Sequence, residues 1–237
     1  MNGDISILLL TAASIGFFHT LLGPDHYLPF IAMSKSGQWS IRKTALVTTA
    51  CGIGHVLGSI ALGLIGIGFG ITLSKLEIFE SFRGNIASWL LIAFGFAYLL
   101  WGIRHAIRNK QHSHVHLHDD GIEHSHQHNH HTEHSHVHSK DQKKNLTPWI
   151  LFTIFVFGPC EPLIPLLMYP AAKENSLGLI MVTAAFALTT IITMLSIVLI
   201  STFSLRMVPL KGLGQYVHAI AGATILLCGV SIQFLGL

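Results

Sequence analysis

Charge is scarce in this sequence. Asp, Glu, Lys and Arg make up 11% of its 237 residues, against 51% hydrophobic residues and a mean hydropathy of +0.57. Such a composition excludes an ordinary soluble domain and points to a chain that crosses a bilayer several times. Cysteine is scarce too. Cys51, Cys160 and Cys228 all lie inside apolar runs, so a disulfide framework of the secreted kind is excluded. The net charge of +3 is small and sits in loops, which leaves no basis for nucleic-acid binding. Met1 to Asp4 carries no basic stretch, so the first apolar run reads as a retained helix and not a cleaved signal peptide. There is no His-Glu-x-x-His motif, which argues against a metal-dependent membrane hydrolase, and a non-enzyme is expected.

What is present is apolar sequence in long runs. Spans are expected near 5–33, 41–73, 85–106, 149–172, 176–203 and 213–235, each near the ~20 residues a crossing needs. Ser40 is a candidate cap for the second span, and Thr147-Pro148 for the fourth. Ser74 to Gly84 reads as a short amphipathic connector. The glycines of the second span, among them Gly54 and Gly58, have the spacing of close helix packing. The loops after the first, third and fifth spans hold 11 of the 14 Lys and Arg residues. The positive-inside rule then puts both termini outside the cell membrane and the long third loop in the cytoplasm. The expected fold is an all-α polytopic membrane protein of six helices. Residues 1–106 would form one three-helix repeat, 107–146 a cytoplasmic loop, and 147–237 an inverted second repeat.

Two interruptions mark the candidate site. Gly23-Pro24-Asp25-His26 falls within the first span and Gly158-Pro159-Cys160-Glu161 within the fourth. Proline removes a backbone donor and clashes with the preceding turn, so both spans should break there. Broken backbone at membrane depth is tolerated where it is buried in protein or lines a wet cavity. His19 and His26 would lie ~10.5 Å apart along an unbroken helix, so a shared ligand requires the break. His55 on the second span needs a partner because an ionisable group in hydrocarbon is costly. Cys51 stands four residues before it, on the same helix face. Asp25, Cys160 and Glu161 would sit at the positive ends of half-helices, which favours their ionised forms. His19, Asp25, His26, His55, Cys160, Glu161 and, less directly, Cys51 are therefore the candidate metal ligands. Imidazole, carboxylate and thiolate suit Ni²⁺, Co²⁺ or Zn²⁺.

The third loop is dominated by histidine: His112, His114, His116, His118, His124, His126, His128, His130, His131, His134, His136 and His138. Such a composition builds no packed core, so disorder and capture of metal by imidazole are expected.

His19, five residues, then Asp25-His26 resembles the His-x4-Asp-His signature of the nickel/cobalt transporter superfamily. The Gly-Pro-Asp-His and Gly-Pro-Cys-Glu-Pro pair, Gly54-His55 and the His-rich loop resemble its six-helix branch of efflux and urease-accessory-type membrane proteins. The resemblance implies nickel or cobalt transport with His19, Asp25, His26 and His55 at the metal. No resident cofactor is expected, only the transported ion. Expected partners are the divalent ion, the lipid bilayer and a cytoplasmic metallochaperone. Export is favoured by a cytoplasmic capture loop. Uptake for a nickel enzyme such as urease is the alternative. Another class is a membrane thiol-redox or anion-export protein, since Gly-Pro-Cys in a broken helix resembles six-span thiol-electron carriers. Those carry a cysteine in the first break, where this chain has Asp25.

Overall fold

The computed structural model describes residues 2–108, 112–117, 123–128, 146–172, 176–207 and 213–235. The chain is an integral membrane protein. Among the described residues five helical segments are long and apolar enough to cross a bilayer: Ile5–Leu22, Ile41–Gly68, Leu73–Arg108, Ser176–Met207 and Gly214–Leu235.

The first apolar run is not one helix. Helix α1 (Asn2–Leu22) stops before Gly23, a 3₁₀ turn spans Pro24–His26, and α2 (Leu28–Ser36) follows. The fourth run is likewise split into α5 (Thr147–Phe157) and α6 (Leu163–Ala172), so neither piece alone is long enough to cross. Between these lie α3 (Ile41–Gly68) and α4 (Leu73–Arg108), and after them α7 (Ser176–Met207) and α8 (Val217–Leu235). Ser40 caps α3 as its sequence suggests, its hydroxyl accepting from the Lys43 amide at 3.2 Å. The N-cap of α5 is Leu146, with no side-chain bond, and Pro148 stands in the first turn.

Two expectations change. The stretch 74–84 is no separate connector. It forms the first three turns of the 36-residue α4, so the third span begins well before residue 85. The His-rich loop holds two short antiparallel strands, β1 (His112–Leu117) and β2 (Glu123–His128), paired His112 to His128, His114 to His126 and His116 to His124. Those twelve residues are extended where disorder was expected from composition, while the membrane-spanning part is all-helical as expected. His118, His130, His131, His134, His136 and His138 lie outside the described residues.

Contacts among the helices are reciprocal between the two halves. α3 packs on α5 and α6, α7 packs on α1 and α2, and α4 packs along α8. The α4–α8 seam rests on glycine: Gly95 and Gly102 on α4 face Leu226 and Ala219, and Gly222 and Gly229 on α8 face Leu99 and Ile92. A methyl group at any of them would overlap the partner helix, so the two backbones touch. Large side chains such as Leu10, Leu46, Trp89, Ile192 and Leu227 project outward, where only lipid offers them an apolar environment.

Candidate functional site

The site assembles where both breaks meet the middle of α3. His19 occupies the last turn of α1, His26 ends the 3₁₀ turn, and His55 comes from α3. One nitrogen from each of the three lies within 4.8 Å of the other two. Their ring centroids are 4.8 Å apart for His19 and His26, 5.0 Å for His26 and His55, and 6.4 Å for His19 and His55. His26 and His55 are 2% and 1% exposed, so water cannot easily serve them.

The local chain geometry explains the convergence. Gly23 ends α1 by donating to His19 O at 3.0 Å, and His26 turns back so that its amide donates to Gly23 O at 3.1 Å. A Cβ on Gly23 would sit 2.7 Å from His26 Nδ1 and 2.9 Å from Asp25 Oδ1, so only glycine admits this turn. Gly158 plays the matching part at the second break, where a Cβ would come within 3.0 Å of His55 Nδ1.

Hydrogen bonding fixes the His26 tautomer. Its Nδ1 lies 3.0 Å from Asp25 Oδ1 and 3.2 Å from Gly23 O. Both neighbours are acceptors, so Nδ1 carries the proton and donates. Its Nε2 has no partner in the structure and offers a lone pair whenever the ring is neutral; His55 Nε2 is equally unpartnered. A carboxylate behind a histidine, orienting the free nitrogen, is the usual support of a metal or proton site.

Cys160 joins the cluster from the second break. It is fully buried, and its Sγ lies 3.9 Å from His19 Nε2. Its neighbour Glu161 points the other way. Glu161 is exposed and lines a cavity of about 880 Å³ that also reaches His19, Asp25 and His26. Cys51 is fully buried in an apolar cluster with Phe30, Met33 and Met194 and stands outside the three-histidine group. All three cysteines are free.

Sequence reasoning overlooked Arg83. This α4 residue donates to Val156 O at 2.8 Å and Gly158 O at 3.3 Å, closing carbonyls freed where α5 ends. It also donates to Ser59 Oγ at 3.3 Å and pairs with the buried Glu80 at 2.8 Å. The signal was an Arg and a Glu three residues apart in what reads as a surface connector.

The model of one protein family, described as the cytochrome C biogenesis protein transmembrane region, matches residues 28–231. Comparison with curated proteins and with solved structures returned no match. The matched range includes His55 and Cys160 and leaves out α1 and the first break. This finding overturns the nickel/cobalt resemblance and with it the expectation of a nickel or cobalt transporter, whether for efflux or uptake. Of the motifs behind that resemblance, His19 with Asp25-His26 lies wholly outside the matched residues, whereas Gly54-His55 and Gly158 to Pro162 lie inside them. By the extent of this match the chain belongs to the family of the cytochrome C biogenesis protein transmembrane region.

Proposed function

We propose that this protein carries out thiol–disulfide exchange within the membrane, with Cys160 as its working thiol. One observation carries the reading: Cys160 Sγ is 3.9 Å from His19 Nε2, immediately after a helix break whose Pro159, Glu161 and Pro162 line the large cavity. Family membership supports it. His19 accepts the thiol proton, and the thiolate attacks one sulfur of a partner disulfide. The Cys160–partner disulfide forms, the partner's S–S bond breaks, and the leaving thiolate takes the proton from His19. A thiol of a second partner then attacks the first partner's sulfur in the mixed disulfide: the S–S bond to Cys160 breaks, a disulfide between the two partners forms, and the departing Cys160 thiolate takes up the attacking thiol's proton. Asp25 stands where a paired thiol would be, so partners supply the other sulfurs.

The test uses the purified full chain in detergent with 4,4′-dithiodipyridine as the disulfide. Cys160 should react at least tenfold faster than Cys51 and Cys228, and His19→Gln should remove most of that advantage. Equal rates at the three cysteines, or an unchanged rate in His19→Gln, would overturn the reading.

A second reading rests on the three clustered imidazoles, of which His26 and His55 have unpartnered nitrogens; the set suits one bound transition-metal ion such as Zn²⁺, Ni²⁺ or Co²⁺. Asp25 then acts behind His26, and no transport step is implied. Nitrogens up to 4.8 Å apart must close by roughly half an ångström or more to share an ion at ~2.1 Å. Elemental analysis of protein lacking residues 112–138 should find one ion per chain, lost in His26→Ala. Equal metal content in both proteins would remove this reading.

The reciprocal packing of α3 on α5 and α6 and of α7 on α1 and α2 supports an inverted repeat, with α1–α2 and α5–α6 each crossing as one broken helix. The basic loops support an orientation in the cell membrane with both termini outside and the His-rich segment inside. Labelling of an engineered thiol at Gln111 from outside would reverse it.

A further inference from the structure

A second cavity, of about 450 Å³, opens where α2 passes into α3 and α7 ends. It shares no lining residue with the large cavity beside the histidines. Two cations line it, Lys35 and Arg206. Lys35 Nζ donates to Leu205 O at 2.6 Å, and the Arg206 guanidinium donates to Trp39 O. These bonds tie the α2–α3 corner to the end of α7 and still leave N–H groups on both side chains unspent.

Among the described residues no ion pair answers them. The sequence has no Asp or Glu from residue 26 to 76 or from 175 to 237, which covers all three elements, while Arg42 and Lys43 add to the positive end. Ser40 and the start of α3 form part of the wall, and a helix start favours negative charge.

Two buried groups lining the cavity lack partners. Thr202, 4% exposed, has an unbonded Oγ1, and Trp39, 2% exposed, an unbonded Nε1. An unmet buried donor costs ~1–3 kcal/mol, so a ligand rich in acceptor oxygens is strongly favoured there. At ~30 Å³ per water, the space is many times larger than one bridging water needs.

We infer that this cavity binds a phosphate oxyanion, either the headgroup of an anionic phospholipid or free inorganic phosphate. Two cations, neutral donors and no carboxylate make a site for a tetrahedral anion. Basic pockets between membrane helices hold lipid headgroups in this way. The inference does not depend on the thiol chemistry proposed above.

The test uses the full chain in a neutral detergent. Native mass spectrometry measures retention of phosphatidylglycerol against phosphatidylcholine, and titration calorimetry measures inorganic phosphate. Preference for phosphatidylglycerol of at least tenfold identifies a lipid site. Phosphate binding without lipid preference identifies a soluble oxyanion. Either supports the inference. Lys35→Gln with Arg206→Gln should lower the binding at least tenfold. Thr202→Val keeps both cation ties and the volume, and should lower it about fivefold. If neither probe binds, or if Thr202→Val binds as the wild type does, the inference falls.

Discussion

The two helix breaks solve one problem in different ways. At the first, the chain holds itself: Gly23, His26 and Tyr27 amides donate to His19, Gly23 and Pro24 carbonyls in succession, and Asp25 braces His26. At the second, Leu163 and Ile164 amides return to Cys160 and Glu161, but the carbonyls at the end of α5 are served from outside, by Arg83 of α4. A local turn brings its polar residues with it. An externally capped turn depends on a residue 75 positions away in sequence. The first break therefore gathers histidine and carboxylate on one side, while the second separates Cys160, buried, from Glu161, exposed.

That difference predicts a graded set of effects. Arg83→Met should be the most damaging, because it strands the fully buried Glu80 and two backbone carbonyls at once. We expect a loss of ~3–5 kcal/mol by thermal unfolding in detergent, partly recovered when Glu80→Gln is added. Gly23→Ala comes next, at ~1–3 kcal/mol, because its methyl would lie 2.7 Å from His26 Nδ1. Gly158→Ala, with its closest approach at 3.0 Å, should cost less than Gly23→Ala, and the reverse order would mean the second turn is the tighter one. Asp25→Asn keeps an acceptor for His26 and removes only the charge assistance, so ~1 kcal/mol is expected. Glu161→Gln should stay within ~0.5 kcal/mol in the same measurement, since the side chain is exposed and makes no ion pair among the described residues.

Much of this arrangement is legible from the chain. Gly-Pro inside an apolar run states where a helix must stop, and α1 and α5 end one residue before their glycines. Helix geometry alone says that His19 and His26 meet only if the chain folds between them. The direction of a side chain in an irregular turn is another matter. Cys160 and Glu161 have no periodicity to read, so nothing in the sequence separates the buried one from the exposed one. Arg83 was hidden for a related reason. Lys75, Glu77, Glu80 and Arg83 give residues 74–84 the look of a surface segment, whereas Glu80 and Arg83 turn inward to one another and to α5. The α4–α8 seam escaped because its glycines recur every seven residues on two helices far apart in sequence, and neither helix is rich in glycine by itself. The family was misread because the most conspicuous motif lies upstream of the part of the chain that defines membership.

The seam also decides which parts of the molecule are free to move. Gly95 and Gly102, like Gly222 and Gly229, are two helical turns apart, ~10.5 Å along the axis, so α4 and α8 are locked at two levels and can neither slide nor twist without collision. They make a chassis. Ser88 of α4 and Gln233 of α8 form one wall of the large cavity, and Arg83, which holds the second break, is bolted to the same frame. The opposite wall is His19, Leu22 and the turn that follows, built on α1 and joined to its surroundings by local bonds. With α4 and α8 held in this way, a displacement that widens the cavity is expected at the first break, on the side of α1 and α7, and not at the second, which Arg83 ties to the frame.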